Sequence, residues 1–180
     1  GMDYSNTGHF VYDLCPTTMG NDMFIYAYTR QLKRYPQLRG IYLDFGTVRQ
    51  CSNEDHGCRE KTPLLGMREF YRRLNVAQIE AGVKEPIVVI HNTDCVQPPA
   101  MAFVSHLLNG EHIRQASSPL LHDKKDILDS YDIEMWASEL STTPWGIANS
   151  CYFPTDTLSA KNGGDETNDA YKFRMWRAQI

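Results

Sequence analysis

Pro86-Ile87-Val88-Val89-Ile90-His91 constrains this chain more than any other segment. Four β-branched apolar residues in a row suit a strand covered on both faces, the setting of a parallel sheet. A parallel sheet needs crossover segments, and the chain supplies helical stripes to make them. Phe24, Tyr28, Leu32 and Tyr35 fall at spacings of four, four and three before Pro36, which marks a helix. Met67, Phe70, Tyr71, Leu74 and Gln78 or Ile79 mark a second, stopped near Gly82. Met101, Val104 and Leu108, after Pro98-Pro99 and before Gly110, predict a third.

Three further runs read as strands. His9 to Cys15 ends at Pro16, Gly40 to Phe45 carries Asp44 near its end, and Trp145 to Phe153 ends at Pro154. The alternation of strand and helix gives an α/β class with a parallel sheet, either open with flanking helices or part of a TIM-type (β/α) barrel. A closed eight-stranded barrel typically takes about 250 residues, and this chain has 180. Between the main elements, 46–65 reads as a polar loop, 111–113 as a brief strand or bulge, 114–125 as loop, 133–140 as one or two helical turns, 155–170 as a mobile polar loop, and 171–180 as a terminal helix or edge segment. One α/β domain over 1–180 accounts for all of this.

Composition removes several functional classes. The net charge of −4 disfavours a general phosphate-backbone binder, so no nucleic-acid partner is expected. No run approaches the roughly 18 apolar residues of a membrane helix, so no membrane partner is expected. There is no G-x-G-x-x-G after the first strand, no phosphate-binding glycine loop and no G-x-S-x-G elbow. No cofactor is implied. Gly1 before Met2 reads as a remnant of tag removal, and no signal peptide is visible, which leaves a periplasmic or secreted parent open.

In a parallel sheet, ligands gather beyond the carboxyl ends of the strands. Asp13, Asp44, His91 with Asn92 and Asp94, and Glu111 with His112 all fall there. A partly desolvated carboxylate in that position is tunable for acid or base work. The loop Cys51-Ser52-Asn53-Glu54-Asp55-His56-Gly57-Cys58 is the second unusual segment. Two thiols and an imidazole within eight positions suggest zinc, with a fourth ligand from Asp44 or His91. The same residues also suit a disulfide or a pair of thiols pinning a functional loop, with His56 turned to a substrate hydroxyl. Five cysteines leave at least one unpaired in any monomer.

Taken in order, Tyr12-Asp13-Leu14-Cys15-Pro16, Gly40-Ile41-Tyr42-Leu43-Asp44, Cys51-Ser52-Asn53 with His56-Gly57-Cys58, Arg68 to Leu74, Ile90-His91, Asn109-Gly110-Glu111-His112 and Trp145-Gly146-Ile147 resemble a group of glycoside-hydrolase-like proteins common in gut Bacteroidetes. That group is related to the family 123 N-acetyl-β-galactosaminidases, which have a TIM-barrel catalytic domain. The resemblance runs from about Val11 to about Pro154.

It implies a carbohydrate partner, hydrolysis of an O-glycosyl bond by paired carboxylates, and a chain that forms the later part of a sugar-cleaving barrel. Asp44 and Glu111 would be catalytic, with Glu139 in reserve as the acid. Asp13, Arg49, Asn53, His56, His91, Asp94, His112 and Trp145 would bind substrate. An incomplete barrel leaves open sheet edges, closed by self-association into a homo-oligomer or by residues 171–180 strapped across the gap. One departure matters: family 123 enzymes are similar to other hexosaminidases in using an adjacent Asp-Glu pair, whereas Phe45 follows Asp44 here. The alternatives are a non-catalytic or degenerate carbohydrate-binding barrel, and a metal protein built on Cys51, His56 and Cys58.

Overall fold

The computed structural model describes residues 2–4, 9–11, 14–44, 46–51, 53–56, 58, 61–92, 96–109, 134 and 143–151. The expectations for 111–113, 114–125, 155–170 and 171–180, and those for 133–140 apart from Glu134, lie outside the described residues. The chain divides into two compact units. The first comprises 1–40, 48–86 and 99–103, and the second 41–47, 87–98 and 104–180.

The first unit opens with strands β1 (Met2–Tyr4) and β2 (His9–Val11), paired antiparallel with Asp3 opposite Phe10. The segment expected as the first parallel strand is therefore the second arm of a hairpin. Its pairing needs are met by Met2–Tyr4, a partner too short to announce itself in the sequence. Helix α1 (Met19–Arg34) follows, with Asp22 in its first turn and Lys33 and Arg34 in its last, each sign matched to the helix dipole. Tyr28 and Leu32 are buried, as the spacing predicts.

Helix α2 (Leu64–Glu80) buries Phe70, Tyr71, Leu74, Ala77 and Gln78. It ends where glycine allows. Gly82 sits at φ +88°, its amide donates to the Ile79 carbonyl, and the Val83 amide reaches back to Gln78. Val83 is buried beneath this turn, completing the Schellman arrangement. Phe24 of α1 meets Phe70 of α2 edge-on at 5.3 Å, and Arg73 pairs with Asp22 at 2.7 Å.

Burial of Tyr28 carries a consequence. Its hydroxyl has no hydrogen-bond partner among the described residues, and burial pushes its pKa up to about 12. The neutral phenol is favoured in the folded state, so this contribution is complete below the ordinary value of about 10 and is lost as pH rises through the folded value. Tyr28→Phe removes an unsatisfied polar atom. It is expected to raise stability by about 1 kcal/mol at neutral pH and to lessen the loss above pH ~10. Urea melts at neutral and alkaline pH check both; destabilisation at neutral pH would refute the first.

The second unit is built on a four-stranded all-parallel sheet. Its strands are β3 (Gly40–Leu43), β4 (Ile87–His91), β5 (His106–Asn109) and β6 (Ala148–Cys151), in that spatial order. Val89 pairs with His106, and His106 in turn with Ala148. Val88 and Ile90 are almost fully buried, while Ile87 and Val89 keep partial exposure, so β4 is less completely covered than its run of branched residues predicts.

The helix expected over 98–110 is absent. Residues 98–103 form turns and His106–Asn109 is a strand. The apolar spacing there is met by buried Ala100, Met101 and Val104 in the turns, and the edge of β4 supplies backbone partners that a helix would leave unused. Ser105 begins the pairing. Its amide donates to the Val88 carbonyl, and its hydroxyl accepts from the Val88 amide. The last strand starts at Ala148, three residues later than expected. Pro144–Gly146 form a 3-10 turn in which Trp145 (φ 61°) and Gly146 (φ 73°) are left-handed.

Candidate functional site

The carboxyl rim of the sheet gathers polar side chains. Asp44 follows β3, His91 closes β4 with Asn92 just beyond it, and Asn109 closes β5. Asp44 and His91 meet: His91 Nδ1 lies 2.8 Å from Asp44 Oδ1. The Tyr42 hydroxyl donates to the same oxygen at 3.0 Å. The two partners differ sharply in exposure, since the His91 side chain is 8% exposed and that of Asp44 56%. The imidazole is therefore the buried support, and the carboxylate is the group that meets solutes. Asp44 Oδ1 thus accepts from the phenol, and from the imidazole N–H when Nδ1 carries the proton, which fixes the carboxylate from two sides.

Close backbone contact locks this arrangement. The Gly46 amide donates to the His91 carbonyl at 3.0 Å. A Cβ on Gly46 would lie 2.4 Å from Ile90 Cβ, so only glycine fits where the chain returns across β4. The Asn92 amide donates to the Leu108 carbonyl, extending the ladder past the strand end. Thr47 Oγ1 and Asn92 Oδ1 are buried without a hydrogen-bond partner among the described residues. Asn109 joins the rim although sequence reasoning did not propose it. A buried Asn ending an apolar strand was the available signal for Asn109, and the expected helix hid it.

The remaining expected residues fall elsewhere. Trp145 is exposed and precedes β6, so it stands at the amino-terminal rim of the parallel sheet and is not brought to Asp44 and His91. Arg49, half-buried, and Asn53, exposed, belong to the first unit. Asn53 Oδ1 accepts from the Asp55 amide and shapes a turn. Asp13, Asp94, Glu111 and His112 lie outside the described residues, as does the distance between a second carboxylate and Asp44.

His56 has a different company. Cys15, Cys51, His56 and Cys58 bring one ligand atom each within 4.8 Å of one another, all within the first unit. Cys51 Sγ is 2.9 Å from His56 Nε2, and the Cys58 amide approaches His56 Nδ1 at 3.2 Å. The fourth member is Cys15; Asp44 and His91, expected in that role, are paired with each other instead. None of these three cysteines is disulfide-bonded, so the structure does not hold the Cys51–Cys58 disulfide. Burial pushes the Cys15 thiol above its ordinary range, partly offset by its contact with Thr17.

Two segments build this cluster. In the first, the Thr18 amide and hydroxyl both donate to the Cys15 carbonyl, and Asn21 Nδ2 donates to the Pro16 carbonyl. Thr18 thus spends its hydroxyl on the cysteine turn rather than on capping α1. In the second, the Cys51 amide donates to the Lys61 carbonyl. Gly66 of α2 lets the first segment come close, because a Cβ there would lie 2.7 Å from Thr17 Cγ2 and 3.4 Å from the Pro16 carbonyl carbon. Among the described residues, no helix is long and apolar enough to cross a membrane. No protein-family model, curated protein or solved structure matches this chain.

Proposed function

We propose that this protein is a carbohydrate-active member of the glycoside-hydrolase type, acting on O-glycosyl bonds at the carboxyl rim of its parallel sheet. The single observation that carries the reading is the exposed Asp44 carboxylate held by Tyr42 and the buried His91 at a strand end. An exposed carboxylate oriented from behind by two donors suits a nucleophile, a base, or a stabiliser of oxocarbenium charge. It does not suit the proton donor, which falls to a second carboxyl such as Glu111. The sequential order β3-β4-β5-β6 is also the order of consecutive strands in a (β/α) barrel, and it supports the reading of this chain as a barrel segment. His91 is a positioning residue on this account.

The test is hydrolysis of a panel of aryl glycosides by the wild type, Asp44→Asn and His91→Gln. Asp44→Asn is expected to lower kcat/KM by roughly 10²–10⁴. His91→Gln is expected to lower kcat more than it raises KM and to shift the acid limb of the pH profile. Turnover unaffected by Asp44→Asn removes Asp44 from the mechanism. Saturable glycan binding without turnover by the wild type assigns the same rim to a non-catalytic carbohydrate-binding protein, the reading that Phe45 after Asp44 favours.

A further inference from the structure

We propose that Cys15, Cys51, His56 and Cys58 form a closed Cys3His site for zinc, which joins the turn before α1 to the loop before α2. The inference does not depend on the glycan reading.

The ligand set is the first argument. Three thiols and one imidazole make a soft-to-borderline donor set with no oxygen member, matching zinc and poorly matched to magnesium or calcium. Size is the second. At a zinc–sulfur distance near 2.3 Å, tetrahedral sulfurs stand roughly 3.8 Å apart, and the four ligand atoms here lie within 4.8 Å of one another. Seating them on one ion draws the widest pairs together and opens the Cys51–His56 pair, 2.9 Å apart here, to roughly 3.6 Å. Four protein ligands leave no open position for water, so the site is structural rather than catalytic.

Supporting contacts form the third argument. Thr17 Oγ1 lies 3.2 Å from Cys15 Sγ, and the Cys51 and Cys15 turns are each fixed through backbone bonds. The cysteines are thus positioned by structure that does not itself require the metal. The chemistry balances simply. Each neutral thiol gives up its proton as its sulfur binds, and His56 offers one ring nitrogen as a lone pair with the ring proton on the other; in either arrangement the Cys58 amide gives up the bond it donates to Nδ1 here. The dication and three thiolates leave the centre with one net negative charge, and up to three protons pass to solvent. No electron is transferred.

The competing uses of these residues are a disulfide between two of the thiols and a reactive thiol paired with His56. Metal analysis and cobalt spectroscopy separate them. Full-length protein, purified under reducing conditions without chelator from zinc-supplemented cells, is expected to carry one zinc per chain. Cobalt exchanged into it is expected to show the intense ligand-field bands of tetrahedral coordination and thiolate-to-cobalt charge transfer. Cys15→Ser should cut zinc affinity by more than about a hundredfold, since even supporting residues contribute 10–100-fold, and should reduce the charge-transfer intensity by about a third, one thiolate in three.

Cys95→Ser serves as a control that keeps full metal content. Thr17→Val, which leaves every ligand in place, should weaken zinc by about tenfold and keeps the test informative if Cys15→Ser fails to fold. Wild-type protein with metal well below one equivalent and no tetrahedral cobalt spectrum overturns the proposal. So does a Cys51–Cys58 disulfide found by mass spectrometry in freshly purified protein, or a cobalt spectrum that Cys15→Ser leaves unchanged.

Discussion

Gly46→Ala is expected to destabilise the protein by about 3 kcal/mol, the upper part of the range for overpacking. The added carbon would sit 2.4 Å from Ile90 Cβ and 2.9 Å from Ile90 Cγ2, where carbon atoms normally rest about 3.5–4.0 Å apart. Ile90 has nowhere to go, because it is 1% exposed within β4. The chain after Asp44 must therefore lift, which breaks the Gly46 amide bond to His91 and draws the carboxylate from the imidazole. Denaturant unfolding reads the first effect and glycan binding or turnover the second. Ile90→Ala is expected not to rescue the variant, because alanine keeps the Cβ that makes the closest contact. A Gly46→Ala protein within about 1 kcal/mol of the wild type would show that this close approach is not required.

Leu74→Ala should cost a similar amount, about 2–5 kcal/mol. Leu74 is fully buried on α2, with Tyr71 and Gln78 equally inaccessible on the same face. Removing its side chain leaves a cavity that the surrounding helix cannot fill without losing other contacts. Ile79 on the same helix is 58% exposed, and Ile79→Ala should fall within about 0.5 kcal/mol of the wild type. Equilibrium urea melts of the two variants check the contrast. Equal destabilisation would mean that α2 presents a different face to the core.

That contrast also shows how far the sequence was legible. The apolar spacing located α2 and its stop at Gly82, but it could not choose between Gln78 and Ile79 as the last inward position. Hydrophobicity favours Ile79; the structure buries Gln78, whose carbonyl receives the Ala81 and Val83 amides at the helix end. Strands β3 and β4 were readable because short branched runs between turn residues have few other uses. The segment from Pro98 to Gly110 was not, since a buried turn followed by a strand places apolar residues at nearly the spacing of a helix. There the unsatisfied edge of β4 decided the outcome, and that edge is invisible locally.

The site was partly legible for the same reason. Asp44 and His91 were found because each ends a recognisable strand, and parallel strands put their ends on one rim. Cys15 was missed because it lies 36 positions before Cys51, and no spacing rule links ligands that far apart. What joins them is the turn at Pro16 and Thr17 packed against Gly66, a tertiary contact with no sequence period. Trp145 was misplaced by the late start of β6, which moved the ring from within a strand to the turn before it.

That turn has a role beyond placing an aromatic ring. Two consecutive left-handed residues, Trp145 and Gly146, stand one residue ahead of a strand whose partners run from Ala148 opposite His106 to Cys151 opposite Asn109. A shift of one position would exchange the faces of every side chain in β6. A shift of two positions or more would also carry left-handed residues into the extended pairing, Gly146 first and then Trp145, where a tryptophan at positive φ has no place. The left-handed pair thus limits how far the last strand can slide along β5.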